Sequence, residues 1–162
     1  MPDTRNFTRV MLVDDHAIVR EGYRSLLHKQ DRLQVVAEAG NGADAYRIYK
    51  EVKPDLVIMD VSMPGIGGVE AIRRIRQWDH VARILVFTMH QSAAYAVQAI
   101  KAGARGFVTK SSPPEALLRA IGEVMGGRRR TSAPRSVSIM PAVVREMPRH
   151  SSNRTGHSRS AV

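Results

Sequence analysis

The chain has no cysteine among its 162 residues, so disulfides, thiolate metal sites and thiol chemistry are all excluded. That absence fits a reducing compartment. No apolar run approaches the ~18–20 residues needed to cross a bilayer, and the N-terminus lacks the apolar core of a signal peptide. The expectation is a soluble, unexported, cytoplasmic protein with no membrane association. Internal repeats are absent, and the glycines at 65, 67 and 68 are not followed by the Lys-Ser/Thr of a phosphate-cradling loop. They serve better as a tight turn.

What is present begins with an apolar content of 43%, enough for a real core in one domain of ordinary size. The formal charge of +10 is unevenly placed. Residues 128–162 hold 8 Arg against Glu146 alone, whereas residues 1–127 hold 17 Lys and Arg against 14 acids. A basic tail of this kind can bind polyanions through a non-specific electrostatic term. The tail is rich in Ser, Arg and Pro without sustained periodicity, and too little of it is apolar to offset the entropy of ordering. Disorder is expected there.

Residues 9–127 alternate between two kinds of pattern. Arg9 to Asp14, Leu33 to Glu38, Leu56 to Met59, Arg83 to Thr88 and Gly106 to Lys110 are short apolar runs without alternation, the signature of strands buried on both faces. Between and after them lie segments of helical spacing: His16 to His28, Ala43 to Val52, Val69 to Arg76, Ala93 to Ala102, and a last helix through Leu117, Leu118, Ile121, Val124 and Met125. Ser112-Pro-Pro-Glu115 reads as a capping box with proline in the first turn. This order predicts an α/β fold, a doubly wound parallel sheet with helices on both faces. In such sheets the functional crevice lies beyond the carboxyl ends of the strands.

Asp14, Asp15, Asp60, Thr88 and Lys110 all fall at predicted strand ends. Taken singly, each has an ordinary reading: Asp15 as a helix cap, Asp60 as a turn residue before Pro64, Thr88 as a β-branched strand residue, Lys110 as a solvated lysine. Together they fit one chemistry. Three carboxylates at one edge need a cation, and an oxygen-rich set suits Mg²⁺. A carboxylate can take a phosphoryl group to give an aspartyl phosphate, a transfer that needs its equatorial oxygens neutralised. Asp60 is the candidate acceptor, with Lys110 and Thr88 able to pair with those oxygens. His16 and His90 lie at strand-to-helix junctions without partners at ligand spacing, and are given structural roles.

The stretches Val13-Asp14-Asp15-His16, Met59-Asp60-Val-Ser-Met-Pro64 through Gly68, Val86-Phe-Thr88-Met-His90 and Ala102-Gly-Ala-Arg-Gly-Phe107-Val-Thr-Lys110 closely resemble the receiver domain of bacterial two-component response regulators. Asp-Asp-His with Val19-Arg-Glu-Gly22, and Thr88-Met-His, resemble its NarL/FixJ (LuxR-type) subfamily. The resemblance covers about residues 9–127, with residues 1–8 as an N-terminal arm. It implies a five-stranded flavodoxin-like (CheY-like) sheet of order 2-1-3-4-5. Asp60 would accept phosphate from a sensor histidine kinase. Asp14, Asp15 and Asp60 would hold Mg²⁺ with the backbone carbonyl of Ser62. Lys110 would contact the phosphoryl group, Thr88 would move toward it, and Phe107 would be the aromatic switch coupling the site to the helix 4–strand 5–helix 5 face. Met89, where many receivers have a small residue, is expected to narrow access to the site.

Members of this subfamily usually continue into a helix-turn-helix domain. Residues 128–162 show no helical periodicity of that kind and are expected to be the remnant of a linker to a missing DNA-binding domain. Contact with DNA is thus implied only by resemblance, and homodimerisation is an open expectation. No enzymatic role is expected beyond self-catalysed phosphorylation and dephosphorylation of Asp60. The competing reading is a haloacid-dehalogenase-type phosphatase, which shares a strand-end aspartate, Mg²⁺, Thr and Lys. Those enzymes carry a second acid two residues after the nucleophile, where this chain has Ser62. A further alternative is weak, salt-sensitive DNA binding through the basic tail.

Overall fold

A computed structural model describes residues 6–126, and the expectations for the tail and for a missing helix-turn-helix lie outside them. The apolar runs become strands β1 (Thr8–Val13), β2 (Leu33–Ala39), β3 (Leu56–Met59), β4 (Ile84–Thr88) and β5 (Gly106–Thr109). Helices α1 (Ala17–His28), α2 (Gly42–Val52), α3 (Gly68–Trp78), α4 (Ala93–Ala102) and α5 (Pro114–Gly126) each follow one strand. All pairings are parallel, in the order β2-β1-β3-β4-β5. This is the expected fold and the expected strand order. None of the helices among the described residues is long and apolar enough to cross a membrane.

Because strand side chains alternate between faces, an unbroken apolar strand feeds two cores. Met11, Val13, Val57, Met59 and Val86 pack on one face with Ile72 and Ile75 of α3 and Ala99 of α4. Val10, Leu12, Leu56, Ile58 and Leu85 pack on the other with Leu27 of α1 and Leu117, Ile121 and Val124 of α5. Helix ends follow local chemistry. Asn41 caps α2 by accepting the Asp44 N–H at 2.8 Å, α2 closes on left-handed Lys53 just before Pro54, and α4 closes on left-handed Gly103.

Several boundaries differ from the sequence reading. β1 gains Thr8, whose N–H bonds to the Arg32 carbonyl. β2 runs on to Ala39, whose carbonyl accepts the N–H of Asp14. The capping box is not formed: α5 starts at Pro114, and the Ser112 hydroxyl pairs with that of Thr109 at 3.0 Å.

β1 lies between β2 and β3, so the chain reverses its direction of travel across the sheet there, and the crevice opens at the carboxyl ends of β1 and β3. Register brings Val13 opposite Met59, Met59 opposite Val86, and Thr88 opposite Thr109. The residues that follow these strands therefore share one edge.

The β3–α3 turn is held against that edge by glycine. A Cβ on Gly68 would fall on the carbonyl oxygen of Asp60 and lie 2.6 Å from Val61 Cα, both backbone. A Cβ on Gly67 would meet nothing within 4 Å, and its φ of −67° suits any residue. Gly68→Ala is expected to cost roughly 1–3 kcal/mol by overpacking and to displace Asp60, whereas Gly67→Ala leaves stability nearly unchanged. Urea denaturation of the two variants checks the contrast.

Candidate functional site

Each polar side chain of the site is delivered by the turn after an apolar strand. Asp60 continues the ladder beyond β3, its N–H bonding to Val13 O at 2.9 Å. Lys110 does the same beyond β5, its N–H bonding to Thr88 O at 2.8 Å. Burial of the strands thus carries Asp60 to only 3% exposure, and the Lys110 side chain to 7%.

Lys110 Nζ bonds to both Asp14 Oδ2 and Asp60 Oδ2, the latter at 3.0 Å. Asp60 Oδ1 accepts the Ser62 N–H at 2.9 Å and the Ser62 hydroxyl at 2.7 Å. Burial alone would push the Asp60 carboxyl up, but the Ser62 hydrogen bonds and the Lys110 ammonium outweigh it and hold the group below the ordinary carboxylate range. For Lys110, burial favours the neutral amine, while Asp14 and Asp60 more than reverse this and raise it. Both groups are ionised at neutral pH.

Around this ion triad, Asp14 Oδ1 accepts the His16 N–H at 2.9 Å, and an Arg20 guanidinium N–H bonds to the Asp14 carbonyl. Asp15 Oδ1 lies 3.0 Å from His16 Nδ1. That approach lacks hydrogen-bond alignment, so Asp15 Oδ1 is buried without a hydrogen-bond partner. One ligand atom from each of Asp14, Asp15 and His16 lies within 4.8 Å of the other two.

The structure therefore joins Asp14, Asp60 and Lys110 directly and sets Asp15 beside them. Thr88 is fully buried, yet its hydroxyl accepts the His90 N–H at 3.3 Å rather than reaching Asp60. Phe107 is also buried, on the α3–α4 side of the sheet among Met59, Val86 and Ala99. Met89 projects outward at 64% exposure. His90 stacks on Tyr95 of α4 with ring centroids 4.7 Å apart.

Three contributors were missed from sequence. Arg20 acts through a backbone carbonyl, which no side-chain pattern signals. The Ser62 hydroxyl reaches Asp60 in addition to the expected role of the Ser62 carbonyl. The absence of partners for His16 is corrected: Asp14 and Asp15 are its partners, brought to it by the bend after β1 rather than by spacing along a helix.

Lys110 is the side-chain cation bonded to both buried carboxylates. Removing one partner of a buried ion cluster leaves uncompensated charge and typically costs roughly 3–5 kcal/mol. Lys110→Met is expected to lose about that much at neutral pH. The wild-type Asp60, held low, contributes stability above its unfolded-state value and loses it as pH falls. In Lys110→Met, Asp60 keeps its burial and loses the ammonium that helps hold it low, so the deficit is largest at neutral pH and shrinks through the carboxylate range. Urea melts of both proteins at pH 7 and pH 4.5 test the sign.

Sequence comparison agrees with this geometry. Residues 10–122 match the family described as the response regulator receiver domain. The Bacillus subtilis uncharacterized transcriptional regulatory protein YhcZ is 37% identical over 139 residues, 86% of this chain and 63% of that protein. The Pseudomonas aeruginosa response regulator GacA is 39% identical over 121 residues, 75% of this chain and 56% of that protein. The chain thus spans about 55–63% of the length of such relatives. Among solved structures, a LuxR-family two-component response regulator from Aurantimonas sp. SI85-9A1 is 52% identical with a TM-score of 0.76, covering 86% of this chain and 94% of that one. These relatives are regulators, and the phosphatase reading is not favoured. With its parallel sheet, its Asp60–Lys110–Asp14 triad and this match over most of its length, the chain belongs to the response regulator receiver domain family, as a signalling domain akin to the LuxR/NarL-type regulators of two-component systems.

Proposed function

We propose that Asp60 is the residue that accepts the phosphoryl group, and that a sensor histidine kinase supplies it. The observation that carries this reading is a carboxylate buried to 3% exposure yet held ionised by Lys110 and Ser62. In the transfer, an Asp60 carboxylate oxygen forms a bond to phosphorus as the bond to the kinase's imidazole nitrogen breaks. The Lys110 ammonium then pairs with a phosphoryl oxygen, and the Ser62 hydroxyl orients the acceptor.

Asp14, Asp15 and Asp60, with the Ser62 backbone carbonyl, would hold Mg²⁺. The donor set fits: three carboxylates against one ammonium leave two negative charges, and Asp15 Oδ1 is buried with no hydrogen-bond partner. When bound, the ion supplies positive charge toward the equatorial phosphoryl oxygens.

Thr88 and Phe107 form the proposed switch. The weak 3.3 Å bond from His90 N–H to the Thr88 hydroxyl can be exchanged for one from that hydroxyl to a phosphoryl oxygen. Since His90 stacks on Tyr95, this exchange is felt at α4, on the side of the sheet where Phe107 is buried. Partners in this scheme are the kinase and a second copy of the chain, in the cytoplasm. An output in transcription and contact with DNA follow only from relatives longer than this chain. Met89 is assigned to tuning access.

Incubation with Mg²⁺ and a small acyl phosphate, followed by intact mass, tests the scheme. The wild type gains one phosphate only when Mg²⁺ is present, and Asp60→Asn gains none. Met89→Ala changes the rate of gain or loss while keeping the stoichiometry; unchanged rates would remove Met89 from the scheme.

A further inference from the structure

The peptide that joins Asp14 to Asp15 lies where the sheet stops holding the chain. The Asp14 N–H still reaches the Ala39 carbonyl at 3.1 Å, but the last register pairs of β1 are Val13 with Ala39 and Val13 with Met59. Helix α1 begins at Ala17. The carbonyl of buried Asp14 therefore falls between ladder and helix, where a backbone acceptor needs some other donor. A guanidinium N–H of Arg20, reaching back from α1, supplies it.

Arg20 makes this contact against its own preference for water. A side chain of its length could extend into solvent, yet it is folded inward to 20% exposure, beside Asp14, Tyr23, Asp60 and Phe87. Its Nε is buried with no hydrogen-bond partner among the described residues, an unfavourable state for a polar atom. Glu38 of β2 stands behind it, with Oε1 3.5 Å from that Nε. Glu38 is itself held by Arg24 Nη1 at 3.0 Å. The guanidinium thus ties the end of β1 to β2, and its rigid fork suits such a bridge better than an ammonium does.

We infer that Arg20 is a positioning residue for the metal-holding pair: by fixing the Asp14–Asp15 peptide it sets how the two carboxylates face one another, and with that the affinity for Mg²⁺. The inference rests on the reading of Asp14 and Asp15 as residues that hold the ion, and it adds the residue that orients them. Arg20 acts through the backbone and takes no part in phosphoryl transfer. The sign of its effect separates this role from simple charge. A cation beside the site repels Mg²⁺, so loss of the charge alone would tighten binding, whereas loss of the bridge weakens it.

The test is calorimetric titration of the tag-free chain with Mg²⁺ for wild type, Arg20→Met, Arg20→Lys and Arg24→Met. The Asp15 amide is followed by heteronuclear NMR in the metal-free proteins, and thermal melts confirm folding. Arg20→Met keeps the bulk of the stem and removes the fork. Arg20→Lys also keeps the charge, and carries the test alone if Arg20→Met does not fold. Arg24→Met makes the same charge change on the same helix and removes a Glu38 partner, but leaves the Asp14 carbonyl held. Mg²⁺ affinity should fall by about tenfold in Arg20→Met and at least about threefold in Arg20→Lys, and stay within about twofold of wild type in Arg24→Met. The Asp15 amide resonance should move in both Arg20 variants and stay in place in Arg24→Met. Wild-type affinity in either Arg20 variant, tighter binding in Arg20→Met, or an unmoved Asp15 amide overturns the inference while leaving the metal pair intact. Equal losses at Arg20 and Arg24 also overturn it, because the contact with the Asp14 carbonyl is then not what matters. Failure of the wild type to bind Mg²⁺ overturns the metal-pair reading itself, and the inference with it.

Discussion

Lys110 is the physical constraint on which the rest of the site depends. Two carboxylates that are nearly sealed from water, on Asp14 and Asp60, share its single ammonium. Separate burial of such charges is prohibitive, so the three groups persist only as a set whose members satisfy one another. The arrangement holds Asp60 ionised, in the form a nucleophile requires. It also leaves net negative charge at the edge, with Asp15 alongside, so that a divalent ion finds ready-made electrostatic attraction. A site that is stable yet undercharged on the positive side is suited to admitting a phosphoryl group together with a metal.

The sheet is what makes this set affordable in structural terms. Strands buried on both faces fix their ends to within the register of the ladder, so that residues distant in sequence emerge side by side. Gly68 lets α3 begin against the backbone of Asp60 itself, which leaves the proposed acceptor little room to wander. Thr88 and Phe107 occupy the same sheet a strand or two away. In the proposed scheme a charge change at Asp60 acts on β4 and α4 through these packed groups rather than through solvent.

Much of this was legible in the sequence because burial writes a strong pattern. Runs such as Leu56 to Met59 have no solvent face, and a single Asp or Lys at the end of such a run stands out. Boundaries were less legible: Thr8 and Ala39 become strand only through pairing with neighbours that no local pattern names. Ser112 looked like a cap but found a nearer partner in Thr109. The roles of Arg20 and His16 were hidden for a related reason. Both depend on where the chain turns after β1, and an approach to a backbone carbonyl or across adjacent residues has no characteristic spacing. Thr88 ends β4, as the run of apolar residues before it implied, and its hydroxyl accepts the His90 N–H.

The central claim is that the Asp60 carboxylate, and no other group, carries the phosphoryl bond. Reductive trapping addresses it directly: the chain is phosphorylated, the acyl phosphate is reduced with borohydride, and the digest is mapped by tandem mass spectrometry. The account predicts homoserine at position 60, with Asp14 and Asp15 intact. Homoserine at position 14 or 15, or a phosphate that survives reduction on Ser62 or His16, would contradict it.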